Sequence, residues 1–461
     1  MDEDVNVDLI MDEIGGRRGS AFIKSNDIEL IDGTNNNKNN LKNPEEEEKA
    51  NCTLFSFDLN GWFCIINIIM GALGTGAFSY PSIVYTIGVF NSVICFIFIS
   101  ISIYFTLDLL RRFVVDTKLY SYGAITQETL GYFWLVAYAI SSFIVYMMSI
   151  SSYLKILYNT TRAVIPGIED NNVAKFFYYF ITYLIEVVLC MFTSNLSKVS
   201  YLSLIAFFIF LIVLIRTIIE SIINMSTENE GFDYITAFTI KDGDDSWEKF
   251  LSLISKINDF TFGFIGHSTF PTLLNTYKNS TDDEKTRKIN KTQLIILCTI
   301  YGLFTIFGLF CLNKNYPQNL FLNKETLENF WEYIFYILIM IYLITLVPIR
   351  FIIIRDNYLS VMKKDFLPGK YEILMTASCL LINNLITCFL SDGIIKTTFN
   401  QIFSGILGVF MCFILPVINY VKIKGKTKIR SIIGYIVAII FLLIGIFSII
   451  FSIKNQTWNE D

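Results

Sequence analysis

The stretch M-G-A-L-G-T-G-A-F-S-Y-P, residues 70–81, lies inside the first long apolar segment of the chain. It contains Gly71, Gly74 and Gly76 before Pro81, and an interior Gly costs a helix about 1 kcal/mol relative to Ala. In a bilayer, an opened backbone is tolerated only where it is buried in protein or lines a cavity. Two interpretations follow: a kinked, closely packed helix, or a break whose N–H and C=O groups bind a ligand.

The composition is that of a helical membrane protein. Of the 461 residues, 53% are hydrophobic, only 17% are charged, and 42 are Phe. A bilayer core about 30 Å thick requires about 20 apolar residues per helix, and runs of that length recur along the chain. We therefore predict an all-α polytopic membrane protein with about 11 transmembrane helices. The predicted spans are 60–86 (broken), 88–109, 127–157, 174–193, 198–219, 254–276 (broken), 293–312, 329–354, 372–390, 398–420 and 432–453.

Charge divides the chain into three predicted parts. Residues 1–50 hold 13 Asp and Glu against 6 Lys and Arg, so residues 1–53 are predicted to be a disordered acidic tail. Residues 54–453 form the membrane domain, and residues 454–461 form a short C-terminal tail. The loops on the side of the N-terminus carry most of the Lys and Arg, which predicts that the N-terminus is cytoplasmic.

No cofactor or metal site is indicated by the sequence. The nine cysteines are scattered and contain no C-x-x-C pair, so neither a disulfide framework nor a zinc site is predicted. The acidic loop at 220–250 could hold a metal ion or simply be solvated, and it shows no recurring ligand spacing.

A second apolar segment is broken in the same way. It reads F-T-F-G-F-I-G-H-S-T-F-P at residues 260–271 and contains His267, the only histidine of the chain. A lone His is commonly a packed, hydrogen-bonded residue, but an ionisable group in a bilayer faces the interior or a water-filled path. Because an ordinary His titrates at a pKa of about 6.5, His267 is a candidate for substrate binding and for proton transfer.

The two broken segments are the first and the sixth predicted spans. This spacing is expected if spans one to five and six to ten form two inverted repeats. In such a fold, freed helix N-termini attract a carboxylate, while unwound carbonyls accept from an ammonium group or bind a cation. A zwitterion fits this site, and no buried Arg or Lys is needed.

Four motifs resemble, in the correct order, those of the amino acid/auxin permease family of transmembrane amino acid transporters. G-T-G-A-F-S-Y-P (74–81) is similar to the family's G-x-G-L-L-G-L-P, and F-G-F-I-G-H-S-T-F-P (262–271) to the F-x-F-x-G-H-x-x-F-P of the vacuolar branch. S-Y-G (121–123) and S-S-Y-L (151–154) resemble the opening and the end of helix three. V-P-I-R (347–350) resembles the P-x-R that closes helix eight.

This resemblance implies a five-plus-five inverted-repeat transporter fold, with the substrate between broken helices 1 and 6 and helices three and eight. Backbone groups at the first break would bind the carboxylate and ammonium groups of an amino acid, and residues at the second would shape its side-chain pocket. The positions implied are Gly71, Gly74, Thr75 and Gly76 at the first break and Phe262, Phe264 and Gly266 at the second.

Met70 departs from the family pattern. Sodium-coupled members have an Asn at the corresponding position, four residues before the first Gly of their G-x-G. A thioether is a poor ligand for a hard cation, so protons are expected as the coupling ion in preference to sodium.

Several other polar residues fall within predicted spans. Glu186, in span four, could belong to a proton path or pair near the end of its helix. Tyr146 and Tyr153, seven residues apart, share a face of helix three and could line the cavity or pack.

Two further pairs of polar residues have structural explanations. Asn383 and Asn384 are predicted to hydrogen-bond between helices. Arg350 and Arg355 are predicted to mark the cytoplasmic interface.

We interpret the chain as a secondary active transporter of neutral amino acids, not an enzyme, with the lipid bilayer and protons as its partners and no nucleic acid. The vacuolar or endosomal membrane, or the plasma membrane, is the expected location. One alternative is an amino acid sensor built on the same fold, with the acidic tail engaging a cytosolic partner. Another is a membrane-embedded acyltransferase, which would explain His267 but not the glycine break in span one.

Overall fold

The computed structural model describes residues 57–74, 76–165, 172–193, 196–227, 236–241, 243, 245–311, 330–364, 369–389, 403–425 and 429–457. Regular structure in these residues is helical. The helices are α1 (Leu59–Ala72), α2 (Gly76–Ile87), α3 (Val89–Thr117), α4 (Tyr122–Leu130), α5 (Tyr132–Val164), α6 (Asn172–Phe192), α7 (Leu196–Thr227), α8 (Ser246–Gly263), α9 (Phe270–Leu274), α10 (Asp283–Leu309), α11 (Phe330–Met362), α12 (Gly369–Phe389), α13 (Leu415–Lys424) and α14 (Ile429–Thr457). Two π-helical segments, Ser404–Gly408 and Phe410–Ile414, precede α13. The predicted acidic tail and Thr75 lie outside the described residues.

The predicted all-α polytopic membrane fold is confirmed. Nine helical segments in the described part of the chain are long and apolar enough to cross a bilayer, and α1 with α2 makes a tenth span that is bent by 56° at the break. The second predicted broken span, 254–276, corresponds to α8 and α9. It is not among those nine segments, because α8 carries four charged residues: Glu248 and Lys249 in its first turn, and Lys256 and Asp259, which form an ion pair at 3.6 Å.

Three helices begin where an aspartate caps the free N–H groups of the first turn. The carboxylate of Asp58 accepts from Gly61 N at 2.9 Å at the start of α1. Asp245 does the same for α8 and Asp282 for α10. An N-cap of this kind stabilises a helix by about 1 kcal/mol.

The third predicted span, 127–157, begins later than the sequence suggested. Gly131 adopts φ +93°, a conformation that favours glycine. It separates the short α4 from the membrane-spanning α5. The S-Y-G motif therefore opens α4, with Ser121 as its N-cap, before the long helix begins.

The two broken spans pack crosswise. α1 lies against α9, and α2 lies against α8, so each half of one broken span contacts the opposite half of the other. This is the relationship expected between corresponding helices of an inverted repeat. α11 packs against both α5 and α7 and is the most buried of the apolar spans, so it forms the centre of the bundle beside the breaks.

Polar contacts close the bundle at the end where α1 begins, here called the α1 end. Arg111, at the end of α3, is fully buried and donates through Nη1 to the Asp283 carboxylate (2.8 Å) and to Thr286 Oγ1 (3.1 Å) on α10. Lys424 pairs with Asp116 at 2.8 Å. These contacts tie α3 to α10 and α13.

At the opposite end, residues 236–241 run along the junction of α2 and α3. Val89 N donates to Thr236 O (3.0 Å) and Lys241 N to Thr86 O (2.8 Å). Gly88, between the two helices, adopts φ +83°, and an added Cβ would lie 2.8 Å from Ala237 O. A glycine is needed there both for its backbone conformation and for the close approach of the segment.

Candidate functional site

The first break leaves backbone carbonyls without helical partners. α1 ends at Ala72 and α2 begins at Gly76, so the last carbonyls of α1 lie unpaired in the bundle centre unless other groups reach them. The second break also leaves backbone carbonyls without helical partners, at the end of α8. There, Tyr80 Oη donates to Phe260 O (2.8 Å), and Tyr301 Oη donates to Gly263 O.

Arg350 satisfies the carbonyls of the first break. It lies in the middle of α11 and is 4% exposed. Its Nη1 donates to Gly71 O and, at 3.4 Å, to Ile265 O in the second break. Its Nη2 donates to Ala72 O at 3.3 Å, and its Nε donates to Tyr153 Oη at 3.0 Å. One side chain thus joins both breaks to α5.

The prediction that Arg350 marks the cytoplasmic interface is therefore wrong, and a buried Arg, which the sequence did not lead us to expect, lies at the breaks. Counting Lys and Arg along a sequence assumes that cations avoid the bilayer centre. Here the opened backbone supplies oxygen acceptors at that depth. Arg355, one turn further along α11, pairs instead with Glu372 on α12 at 3.0 Å.

A small cavity, with room for about one water molecule, lies where the breaks meet α5 and α11. Four predicted site residues line it: Gly74, Gly76, Tyr146 and Phe262. The structure adds six more lining residues that the predicted substrate-binding set did not include: Ala72, Ser149, Tyr153, Gly263, Ile265 and Arg350. The signal that could have found Arg350 is its position in V-P-I-R, a charged residue in an otherwise apolar span.

Tyr146 and Tyr153 share the cavity wall, as their seven-residue spacing allows. The Tyr146 hydroxyl is buried and has no hydrogen-bond partner among the described residues. The Arg350 guanidinium carbon lies 5.6 Å from the centre of its ring. Aromatic and cationic groups therefore face each other across the cavity.

Gly71 and Gly266, two other glycines of the predicted substrate site, do not line the small cavity. Each lies where the two breaks pack closely against each other. An added Cβ at Gly71 would lie 2.7 Å from Thr269 Oγ1, and one at Gly266 would lie 3.0 Å from the Cβ of Ala72. The two breaks are thus pressed against each other at these positions.

Phe264 faces away from the cavity. Its ring packs edge-on against Tyr301, with centroids 4.9 Å apart, and against Phe96 at 5.6 Å. It belongs to an aromatic cluster that also contains Tyr80. The structure does not bring Phe264 together with Phe262, two residues away, because successive side chains at the end of α8 point in different directions.

His267 lies within the second break, is fully buried and does not line the small cavity. Its Nε2 is 2.8 Å from Thr106 Oγ1. Thr106 Oγ1 also lies within hydrogen-bond distance of two carbonyls one turn earlier, Ser102 O (3.1 Å) and Ile103 O (3.2 Å). Its single hydrogen can go to Nε2 or to one of these carbonyls, so the contact is compatible with either tautomer of the ring. Nδ1 has no partner among the described residues.

Glu186 lies in a separate place, on α6 against α12. It is fully buried, and its Oε2 accepts from Asn384 Nδ2 at 2.8 Å. Its Oε1 has no partner among the described residues. The structure therefore separates Glu186 from the small cavity and makes Asn384 an interhelical hydrogen-bond donor, as predicted from the sequence.

A larger cavity of about 440 Å³ lies at the α1 end. Its lining is charged and includes Arg112, Asp116, Asp283, Lys424 and Arg430. It borders the Arg111 contacts described above. In the described residues no three His, Cys, Asp or Glu side chains are grouped closely enough to hold a metal ion.

A sequence model of the family described as "Transmembrane amino acid transporter protein" matches residues 60–455, most of the chain. The chain belongs to this family. The match confirms the family resemblance of the motifs at the two breaks, while the vacuolar branch remains a prediction. No curated protein matches the sequence.

Solved structures of a manganese transporter from Eremococcus coleocola share the fold. One, in complex with an aromatic bis-isothiourea substituted compound, has a TM-score of 0.59 and 14% sequence identity, over 86% of this chain and 87% of that one. A point mutant of the same transporter has a TM-score of 0.55 and 12% identity, over 87% and 88% of the two chains. At this identity the likeness concerns the fold alone.

Proposed function

We propose that this protein is a secondary active transporter that carries neutral amino acids by alternating access and is driven by protons. The observation that carries the proposal is the small cavity between the two breaks, which is lined by Gly74 and Gly76 on one side and by Tyr146 and Tyr153 on the other. Discontinuous helices at the centre of a bundle are the usual place for substrates in inverted-repeat transporters. Membership of an amino acid transporter family supports an amino acid as the substrate.

Protons are proposed as the coupling ion because the first break offers little to sodium. The carbonyl oxygens of Gly71 and Ala72, which a cation would use, accept from Arg350. Met70, at the position of the sodium-linked Asn, supplies no oxygen. His267 and Glu186, each buried with one atom left unpartnered in the described residues, are the proposed proton-handling groups. The vacuolar or endosomal membrane, with the N-terminus in the cytoplasm, remains the proposed location, and the plasma membrane is the alternative.

The test is uptake of a labelled mixture of neutral amino acids into proteoliposomes. A pH gradient and a sodium gradient are imposed separately, on the native protein and on His267→Ala. The proposal expects uptake that follows the pH gradient and falls in the variant. Uptake that follows sodium would contradict proton coupling. Amino acid binding without uptake under either gradient would favour the sensor, in which case deletion of residues 1–50 should abolish a downstream response.

A further inference from the structure

Arg350 carries a buried positive charge that has no carboxylate partner in the part of the chain that the structure describes. Among the described residues, its partners are three backbone carbonyls and one tyrosine hydroxyl. Neutral oxygens satisfy its hydrogen bonds but do not neutralise its charge, and buried charges in proteins are normally paired. Arg355, on the same helix, shows the ordinary solution, with Glu372 as its counter-ion. The guanidinium of Arg350 therefore lies at the bundle centre without a counter-ion among the residues described.

One N–H of the Arg350 guanidinium has no acceptor among the described residues. It has five N–H donors; Nε uses its one, Nη1 uses two, and Nη2 uses one on Ala72 O. The second N–H of Nη2 has no acceptor among the described residues. The Tyr153 hydroxyl also has an unused hydrogen. Its oxygen accepts from Arg350 Nε, and its own hydrogen has no acceptor among the described residues.

Both donor groups lie beside Gly74. The Cβ that Gly74 lacks would lie 2.9 Å from Tyr153 Oη and 3.2 Å from Arg350 Nη2, so a side chain at this position would crowd both groups. Gly74, Tyr153 and Arg350 all line the small cavity, where the two donors can reach the same ligand. A carboxylate has two oxygens and accepts such paired donors well.

We propose that Arg350 is the resident cation of the binding site and that, with the Tyr153 hydroxyl, it binds the carboxylate of the substrate. Hydrogen bonds to backbone oxygens at both breaks hold the guanidinium in place. The substrate carboxylate then neutralises its positive charge. Arg350 is thus a specificity-determining residue that selects ligands with a free carboxylate. This inference rests on the proposed transport of amino acids.

The test compares amino acids with their amides, which keep the ammonium group and side chain but lose the carboxylate charge. Labelled neutral amino acids are taken up into proteoliposomes while unlabelled acids or amides compete. For the native protein, the acids should compete and the amides should not. Absence of any uptake by the native protein would count against the proposed function itself. Competition by amides as strong as by acids would overturn the role of Arg350 while leaving transport intact.

The variants are Arg350→Gln and Tyr153→Phe, with Arg355→Gln as the matched control on the same helix. Arg350→Gln should lose the preference for acids over amides, and Tyr153→Phe should raise the KM by about tenfold to a hundredfold, as expected for one hydrogen bond to a charged group. Arg355→Gln should keep the native preference. If Arg350→Gln does not fold, the KM of Tyr153→Phe still tests the proposal. A folded Arg350→Gln with the native preference, or an unchanged KM in Tyr153→Phe, would overturn the proposal.

Discussion

Thr106 Oγ1 lies 2.8 Å from Nε2 of His267, so a hydrogen bond to α3 orients the only histidine of the chain. The other ring nitrogen, Nδ1, has no hydrogen-bond partner among the described residues. A proton-handling role requires a ring nitrogen that can gain and lose a proton, whereas a packing role requires only the shape of the ring.

His267→Gln should separate the two roles, because the amide can keep a hydrogen bond to Thr106 but cannot carry a proton. We expect the variant to lose most of the uptake driven by a pH gradient while retaining exchange of labelled for unlabelled amino acid at equal pH. Both rates are measured in the same proteoliposomes. Full retention of pH-driven uptake would assign His267 to packing.

Gly76 should be indispensable for the packing of the two breaks. An added Cβ would lie 2.7 Å from the Cα of Gly263, a backbone atom that cannot rotate away. Gly76→Ala should therefore push α2 from α8 and reduce uptake by at least about tenfold, the effect of roughly 1.4 kcal/mol.

The control is Gly302→Ala, on α10, where nothing lies within 4 Å of the added Cβ. This change should leave uptake as it is and stabilise the helix by up to about 1 kcal/mol. Equal losses in the two variants would show that the close approach at Gly76 has no special importance.

Glu186 can be tested with an isosteric change. In Glu186→Gln the side-chain oxygen can still accept from Asn384, whose Nδ2 lies 2.8 Å from Glu186 Oε2. We expect near-native thermal stability and exchange but reduced accumulation under a pH gradient. Glu186→Leu, which removes the acceptor, should also destabilise the protein by about 1–3 kcal/mol because one buried N–H of Asn384 loses its partner, while the other still donates to Leu380 O. Unchanged accumulation in Glu186→Gln would limit this residue to holding α6 against α12.

Arg111 should contribute more to stability than its neighbour Arg112. Arg111 is fully buried and reaches Asp283 and Thr286 on α10, whereas Arg112 is 24% exposed and pairs with Asp108 on its own helix. Arg111→Gln should lower the free energy of unfolding by about 2 kcal/mol through the lost charged hydrogen bonds, and Arg112→Gln by much less. Thermal unfolding of the purified protein measures both, and similar losses would contradict the assignment.

The spans and both breaks could be predicted from the sequence because their signals are local. Twenty-residue apolar runs and clusters of Gly and Pro act on the chain where they occur. The same holds for the cavity residues Gly74 and Gly76, which occupy the break itself.

Contacts that depend on distant parts of the chain could not be predicted in this way. Arg350 is nearly 280 residues from Gly71, and only the fold places its guanidinium beside carbonyls that the break has opened. Phe264 follows Phe262 closely in the motif but turns into an aromatic cluster built from α2 and α10. The partner of His267, Thr106, comes from α3, a helix that none of the four sequence motifs includes.

The short segment at 236–241 links the end of α2 to the surface of the protein. α2 begins at the cavity with Gly76 and ends beside this segment, which carries Phe238, 64% exposed. A rigid helix transmits a tilt at one end to the other, so a fluorophore attached at position 238 should change its emission when an amino acid enters the site. Such an optical signal would detect occupancy in detergent solution without a sealed vesicle, and it would serve equally for a transporter and for a receptor.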